Sequence, residues 1–119
     1  MPQVSRFLRA FTDHKGRHGF TWYCPGCKHA HSVHTDGGDR PVWQFDGNLE
    51  SPTFMPSYRE FIPAMPDHPR VDCRSERTTC HCWVKAGQIE FLADSGHELR
   101  GFVPMVDLDT VKDYGWGYD

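Results

Sequence analysis

The sequence predicts a small all-β or β-dominated α+β protein, a twisted sheet or sandwich built from short hairpins. Three observations carry this. Eleven glycines and nine prolines punctuate 119 residues at short intervals. Aromatic residues are frequent and sit in short runs that alternate with polar residues. No long stretch repeats its apolar residues at the helical period, whereas period-two runs bounded by turn residues mark strands.

The elements follow in order. Phe7, Leu8 and Phe11 share a helical face, so a short helix within residues 3–11 is a candidate. Arg17–Cys24 (RHGFTWYC) is rich in β-formers and reads as a strand. His29–His34 (HAHSVH) alternates, which places Cys24–Cys27 in a hairpin-like turn. Asp36–Asp39 (DGGD) is turn chemistry. Val42–Asp46 (VWQFD) reads as a third strand, and Thr53–Ser57 as a short one bracketed by Pro52 and Pro56, since proline suits strand ends and edges. Ile62–Arg77, with three prolines and many charges, reads as a long irregular loop. Thr79–Lys85 and Gln88–Ala93 form the clearest hairpin, with Gly87 free to take positive φ in the tight turn. Asp94–Gly101 is a polar turn or a single helical turn, Val103–Leu108 a last edge strand, and Val111–Tyr114 one helical turn before a Gly-rich tail.

The length fits one domain. Its expected parts are an N-terminal segment (1–16), a β core (17–108) that contains the irregular loop at 62–77, and a tail (109–119). A core this small gains from a metal or disulfide staple. No apolar run approaches the roughly 20 residues that span a bilayer, and MPQVSRFLRAF has no apolar core of the signal-peptide type. The expected location is therefore the cytoplasm, where cysteines stay reduced. Five cysteines, an odd number, also argue against a complete disulfide framework. The net charge of −3 and the lack of a basic run weigh against a nucleic-acid partner.

Cys24-Pro-Gly-Cys27 is a C-x₂-C knuckle, whose turn brings two thiolates to one tetrahedral ion. A second cluster, Cys80-His81-Cys82, lies on a predicted strand. Side chains alternate along a strand, so either Cys80 and Cys82 or His81 face the metal, unless a bulge intervenes. The expected Zn²⁺ ligands are Cys24, Cys27, Cys80 and His81. Cys82, His97 and Cys73 are further candidates, and His31 or His34 are candidates for a fourth ligand or a supporting role. Buried cysteines also serve as plain core, and Cys82 suits that role. The redox alternative compares WYCPGCK with a thioredoxin-like motif, but KHAHSVHTDGG is poor helix material and no βαβ frame follows. A zinc deaminase site is excluded by the order and spacing of its motif.

Asp94-Ser95-Gly96-His97-Glu98 is the second chemical feature. Asp94 and His97 are the candidate catalytic pair: with an open coordination position, a zinc-bound hydroxide would be the nucleophile and His97 or Glu98 its base. The plainer alternative is a turn capped by Asp94 and pinned by His97.

The series CPGC, VWQFDG, SPTFMPS and TCHCWVKAGQIEFLADSGHELRG resembles a family of small phage- and prophage-borne proteins of uncharacterised function, often labelled automatically "ammonia monooxygenase". The resemblance covers residues 20–108. It implies that Cys24, Cys27, Cys80, His81, Asp94 and His97 fall on motif positions, that Cys82 and Ser95 depart from the usual residues, and that the fold is zinc-ribbon-like. The copper chemistry in that label does not suit a thiolate knuckle. The expected function is a zinc-stabilised accessory protein of a phage, acting by binding a protein partner in the host cytoplasm through the 62–77 loop. A zinc-dependent hydrolase using Asp94 and His97 is the alternative, and a nucleic-acid-binding zinc ribbon the weaker one.

Overall fold

The computed structural model describes residues 2–37 and 41–111. It is a β-dominated fold of two antiparallel sheets. The first holds β1 (Arg9–Thr12), β2 (His18–Cys24) and β3 (His29–His34) in sequence order. The second holds β4 (Gln44–Phe45), β5 (Phe54–Ile62), β6 (Arg77–Lys85), β7 (Gln88–Phe91) and β8 (Gly101–Pro104), also in order. Each sheet is thus a meander of neighbours, and the only helices among the described residues are 3₁₀ turns at Val71–Cys73 and Leu108–Thr110.

The clearest predicted hairpin is present. Lys85 pairs with Gln88, and both turn residues are left-handed, Ala86 at φ 48° and Gly87 at φ 78°. Gly87 carries that conformation without strain, whereas Ala86 needs help. Its N–H donates to Thr53 Oγ1 at 2.8 Å. Where residues 3–11 suggest a helix, the chain instead forms β1. Leu8 is fully buried, and the Phe11 ring lies against Gly19, where a Cβ would come within 2.4 Å of it. Docking on β2 satisfies this backbone and buries Leu8, which a one-turn helix does not. β4 is shorter than Val42–Asp46, because it pairs only with Phe54 and Met55 before Pro56, which has no N–H to donate. β5 instead runs on to Ile62, so the irregular loop shrinks to 63–76. The last strand is Gly101–Pro104 rather than 103–108, and Asp107 caps the 3₁₀ turn that follows by accepting from Asp109 N–H. Residues 112–119, which hold most of the Val111–Tyr114 turn and the Gly-rich end of the tail, lie outside the described residues. No helix among those residues is long and apolar enough to cross a membrane.

Inward-facing aromatics join the sheets. Trp22 of β2 stacks on Phe54 of β5 at 5.7 Å between ring centroids and meets Tyr58 edge-on at 5.5 Å. Phe20 packs against Phe45 at 4.7 Å. Val33, Val84, Ile89, Phe91 and Met105 complete the core. Phe54 touches both sheets and is 1% exposed. Phe54→Ala should therefore cost about 3–5 kcal/mol, read as a lower urea midpoint with an unchanged slope. A loss below 1 kcal/mol would show that the sheets do not depend on this contact.

Candidate functional site

The site begins with the alternation of β6. Cys80 and Cys82 point inward and are fully buried, while His81 between them points to the outer face of the sheet. The two faces hold different chemistry.

On the inner face, Cys24, Cys27, Cys80 and His97 offer ligand atoms that all lie within 4.8 Å of one another. The Cys24 and Cys80 sulfurs are 4.0 Å apart, and the Cys80 sulfur is 3.6 Å from His97 Nε2. A tetrahedral ion with metal–sulfur bonds of about 2.3 Å and metal–nitrogen bonds of about 2.0 Å requires edges of roughly 3.8 and 3.5 Å, so the spacing is that of a metal cage. The β2–β3 turn supplies two sulfurs. Lys28 N–H closes it onto Cys24 C=O at 2.8 Å, and Cys27 N–H points at Cys24 Sγ at 3.4 Å. Gly26 makes room for the fourth ligand, because a Cβ there would sit 2.2 Å from the His97 ring. Phe91 holds that ring edge-on at 4.6 Å. Contacts with the Cys27 and Cys80 thiols lower the pKa of Cys24 well below the usual thiol range. The same contacts raise Cys27 and Cys80, since neighbouring sulfurs resist sharing negative charge. A cation removes that conflict.

On the outer face, His81 Nδ1 lies 2.8 and 3.0 Å from the two carboxylate oxygens of Asp94. His81 Nε2 lies 3.2 Å from Ser57 Oγ. Carboxylate, imidazole and hydroxyl are thus in line, the arrangement that makes a serine nucleophilic. The hydrogen bond from His81 holds the Asp94 pKa below the ordinary carboxylate range, so Asp94 stays ionised. Ser57 stands where the β5–β6 pairing lapses, between Phe54 and Tyr58. Such irregularities re-aim side chains. Ser95, 5% exposed, fixes the His81 backbone. Its hydroxyl accepts from His81 N–H at 2.9 Å and lies 2.8 Å from His81 C=O, to which it donates.

The structure therefore brings together Cys24, Cys27, Cys80 and His97, and separately His81 and Asp94. His81 faces away from the sulfurs. Cys82 faces inward but lies outside the four-residue group, and Cys73 sits in the 71–73 turn of the loop. His34 bonds Asp13 at 3.0 Å. His31 lies in a second group with Cys27 and Glu60. Ser57 carries no motif of its own in SPTFMPS, and only the fold reveals it.

The fold and site thus define a small two-sheet β protein with a hydroxyl–imidazole–carboxylate array outside and a thiolate–imidazole cage within. The family model described as "Bacterial ubiquitination-like system serine protease (BubE)" matches residues 3–92, and the chain belongs to that family. No curated protein and no solved structure matches it. The family match overturns the resemblance to phage-borne, "ammonia monooxygenase"-labelled zinc-ribbon proteins, and with it the reading as a phage or viral accessory protein that acts only by binding. Together with the Cys/His/Glu clusters, it favours the hydrolase alternative.

Two substitutions test the geometry. Ser95→Ala removes the acceptor of the part-buried His81 N–H, while His81 C=O keeps Leu92 N–H at 2.9 Å, and should cost about 1–3 kcal/mol. Gly26→Ala forces the His97 ring aside and should cost about 2 kcal/mol, in the range for overpacking. Thermal unfolding reads both as a fall in Tm of about 4–8 °C per kcal/mol. An unchanged Tm in both would contradict the packing described.

Proposed function

We propose that this chain is a serine hydrolase of the peptidase class, with Ser57 as nucleophile, His81 as general base and Asp94 as the carboxylate that orients it. The observation that carries this is the unbroken hydrogen-bonded line from Asp94 through His81 to Ser57. The family's description as serine proteases supports it independently.

His81 Nε2 takes the Ser57 proton as Oγ attacks a carbonyl carbon, and Asp94 stabilises the imidazolium that forms. The imidazolium then gives its proton to the leaving amine, and the C–N bond breaks to leave an acyl-Ser57. Water, deprotonated by His81, releases the acid and restores the hydroxyl. The family's description sets such chemistry in a bacterial ubiquitination-like system, which makes a peptide or isopeptide bond of a protein substrate the natural target. The face around His81 suits a polymer rather than a small molecule. Trp83, Glu90 and Phe102 are cross-strand neighbours on its side, and Phe102 is 58% exposed.

For the inner cage we propose Zn²⁺, bound by Cys24, Cys27, Cys80 and His97. Three sulfurs and one imidazole suit zinc, and four protein ligands leave no open position for a bound water. The ion then acts as a structural staple. His97 belongs to that staple, while Asp94 serves the serine, which differs from a zinc-hydroxide mechanism built on the pair. A reduced thiolate cage also fits the cytoplasm.

Diisopropyl fluorophosphate tests the nucleophile. Attack by Ser57 Oγ forms an O–P bond and expels fluoride, and intact-mass spectrometry counts the adduct. One adduct, mapped to Ser57, is expected on the wild-type chain and none on Ser57→Ala. His81→Ala should react at least about 10³-fold more slowly, by analogy with other serine triads. A wild-type chain that stays unmodified at Ser57 would overturn the assignment.

A further inference from the structure

Beside the sulfur cage lies a second group of ligand atoms that shares Cys27 with the staple and no residue with the serine array. His31 is 1% exposed, and neither ring nitrogen has a hydrogen-bond partner. An unpaired polar group at such depth costs roughly 1–3 kcal/mol. Its Nδ1 lies 3.3 Å from Glu60 Oε2, close but outside hydrogen-bonding geometry. The His29 imidazole comes to the other carboxylate oxygen, with Nε2 3.4 Å from Glu60 Oε1. Its Nδ1 sits 3.0 Å from Ala30 C=O. A carbonyl only accepts, so Nδ1 is the donor in that contact and Nε2 is the nitrogen that faces the carboxylate.

The separations are informative. True histidine–carboxylate hydrogen bonds in this protein are shorter: 2.6 Å for His18–Asp36, 2.8 Å for His81–Asp94 and 3.0 Å for His34–Asp13. The His31–Glu60 contact, at 3.3 Å, instead matches the edge of roughly 3.3 Å between nitrogen and oxygen ligands about 2.0–2.1 Å from one tetrahedral ion. Cys27, His31 and Glu60 all place ligand atoms within 4.8 Å of one another, and Cys27 belongs to the staple as well.

Charge points the same way. Three thiolates around one dication carry one net negative charge, and the neighbouring Glu60 adds another. A second dication would bring the assembly of three thiolates, one carboxylate and two metals to neutrality, which a half-buried cluster favours. The site also has an entrance, a cleft of about 610 Å³ lined in part by Cys27, His29, Glu60, Arg77 and Thr79.

We propose that Cys27, His31 and Glu60 bind a second divalent transition-metal cation, with the Cys27 thiolate shared between the two ions and His29 at the outer edge on Glu60. Thr79 Oγ1 donates to Glu60 Oε1 at 2.9 Å and orients the carboxylate. The cleft leaves room for water to complete the coordination. This inference shares Cys27 with the proposed staple but is independent of Ser57.

The test is metal stoichiometry. Reduced protein is dialysed to equilibrium against Zn²⁺, and bound metal is counted by elemental analysis. Two ions per chain are expected for the wild type and for Ser57→Ala, and one for Glu60→Gln and His31→Phe, with far-UV circular dichroism confirming that each variant is folded. Loading with Co²⁺ checks the shared thiolate: two bridged ions couple magnetically, so the wild-type electron-paramagnetic signal per cobalt should fall below that of Glu60→Gln. Saturation of the wild type at one ion would overturn the second site and leave the staple standing. Two ions retained in Glu60→Gln would also overturn it. A wild type that binds none would overturn both.

Discussion

Two neighbouring side chains on one strand, Cys80 and His81, must point to opposite faces of a sheet. The rest of the molecule is arranged around that alternation. Cys80 faces the gap between the sheets and meets the Cys24–Cys27 turn. His81 faces out and meets Ser57. The segment after β7 repeats the division, sending Asp94 outward to His81 and His97 inward to the sulfurs. Ser95 clasps the His81 backbone between them. Gly96 allows the close approach, since a Cβ there would lie 2.7 Å from Thr78 C=O.

This design places the chemistry on a thin scaffold. The sheets meet through a handful of aromatic contacts around Trp22 and Phe54, and the chain is short for a self-sufficient core. Cys24 and Cys80 are 56 residues apart. Closing so long a loop costs little more than closing a shorter one, because the penalty grows only with the logarithm of length. An ion held there contributes its binding free energy to folding, since the unfolded chain has no such cage. It also fixes His97, and through the 94–97 segment it limits where Asp94 can lie. Such an ion would thereby be tied to the outer face without taking part in the chemistry proposed there.

Much of this was legible in the residues. Spacing showed the two-sulfur knuckle, and density of turns and alternating aromatics showed the β fold. Strand parity reduced Cys80-His81-Cys82 to two exclusive arrangements, though it left the choice between them to the long-range packing that brings β2 and β3 over β6. Asp94 and His97 stood out together in a polar turn, but side chains three positions apart in a turn can point anywhere, so sequence could not assign them to different faces. Ser57 was the least visible. Its neighbours in SPTFMPS form no nucleophile motif, and its approach to His81 depends on a lapse in β5–β6 pairing. Glu60 is similar, one charge within a strand whose inward direction is set by the register Glu60↔Cys80. The helix suggested for residues 3–11 gave way to β1, because an edge of β2 was available to pair with it.

The central claim is that the inner cage holds the outer array in working order. The most direct measurement is the second-order rate of Ser57 phosphorylation by diisopropyl fluorophosphate on one preparation, before chelation, after chelation under reducing conditions, and after zinc is restored. The rate is expected to fall at least tenfold on removing the metal and to return with it. An unchanged rate in the metal-free chain would show that the serine array stands without the cage, and would contradict the account.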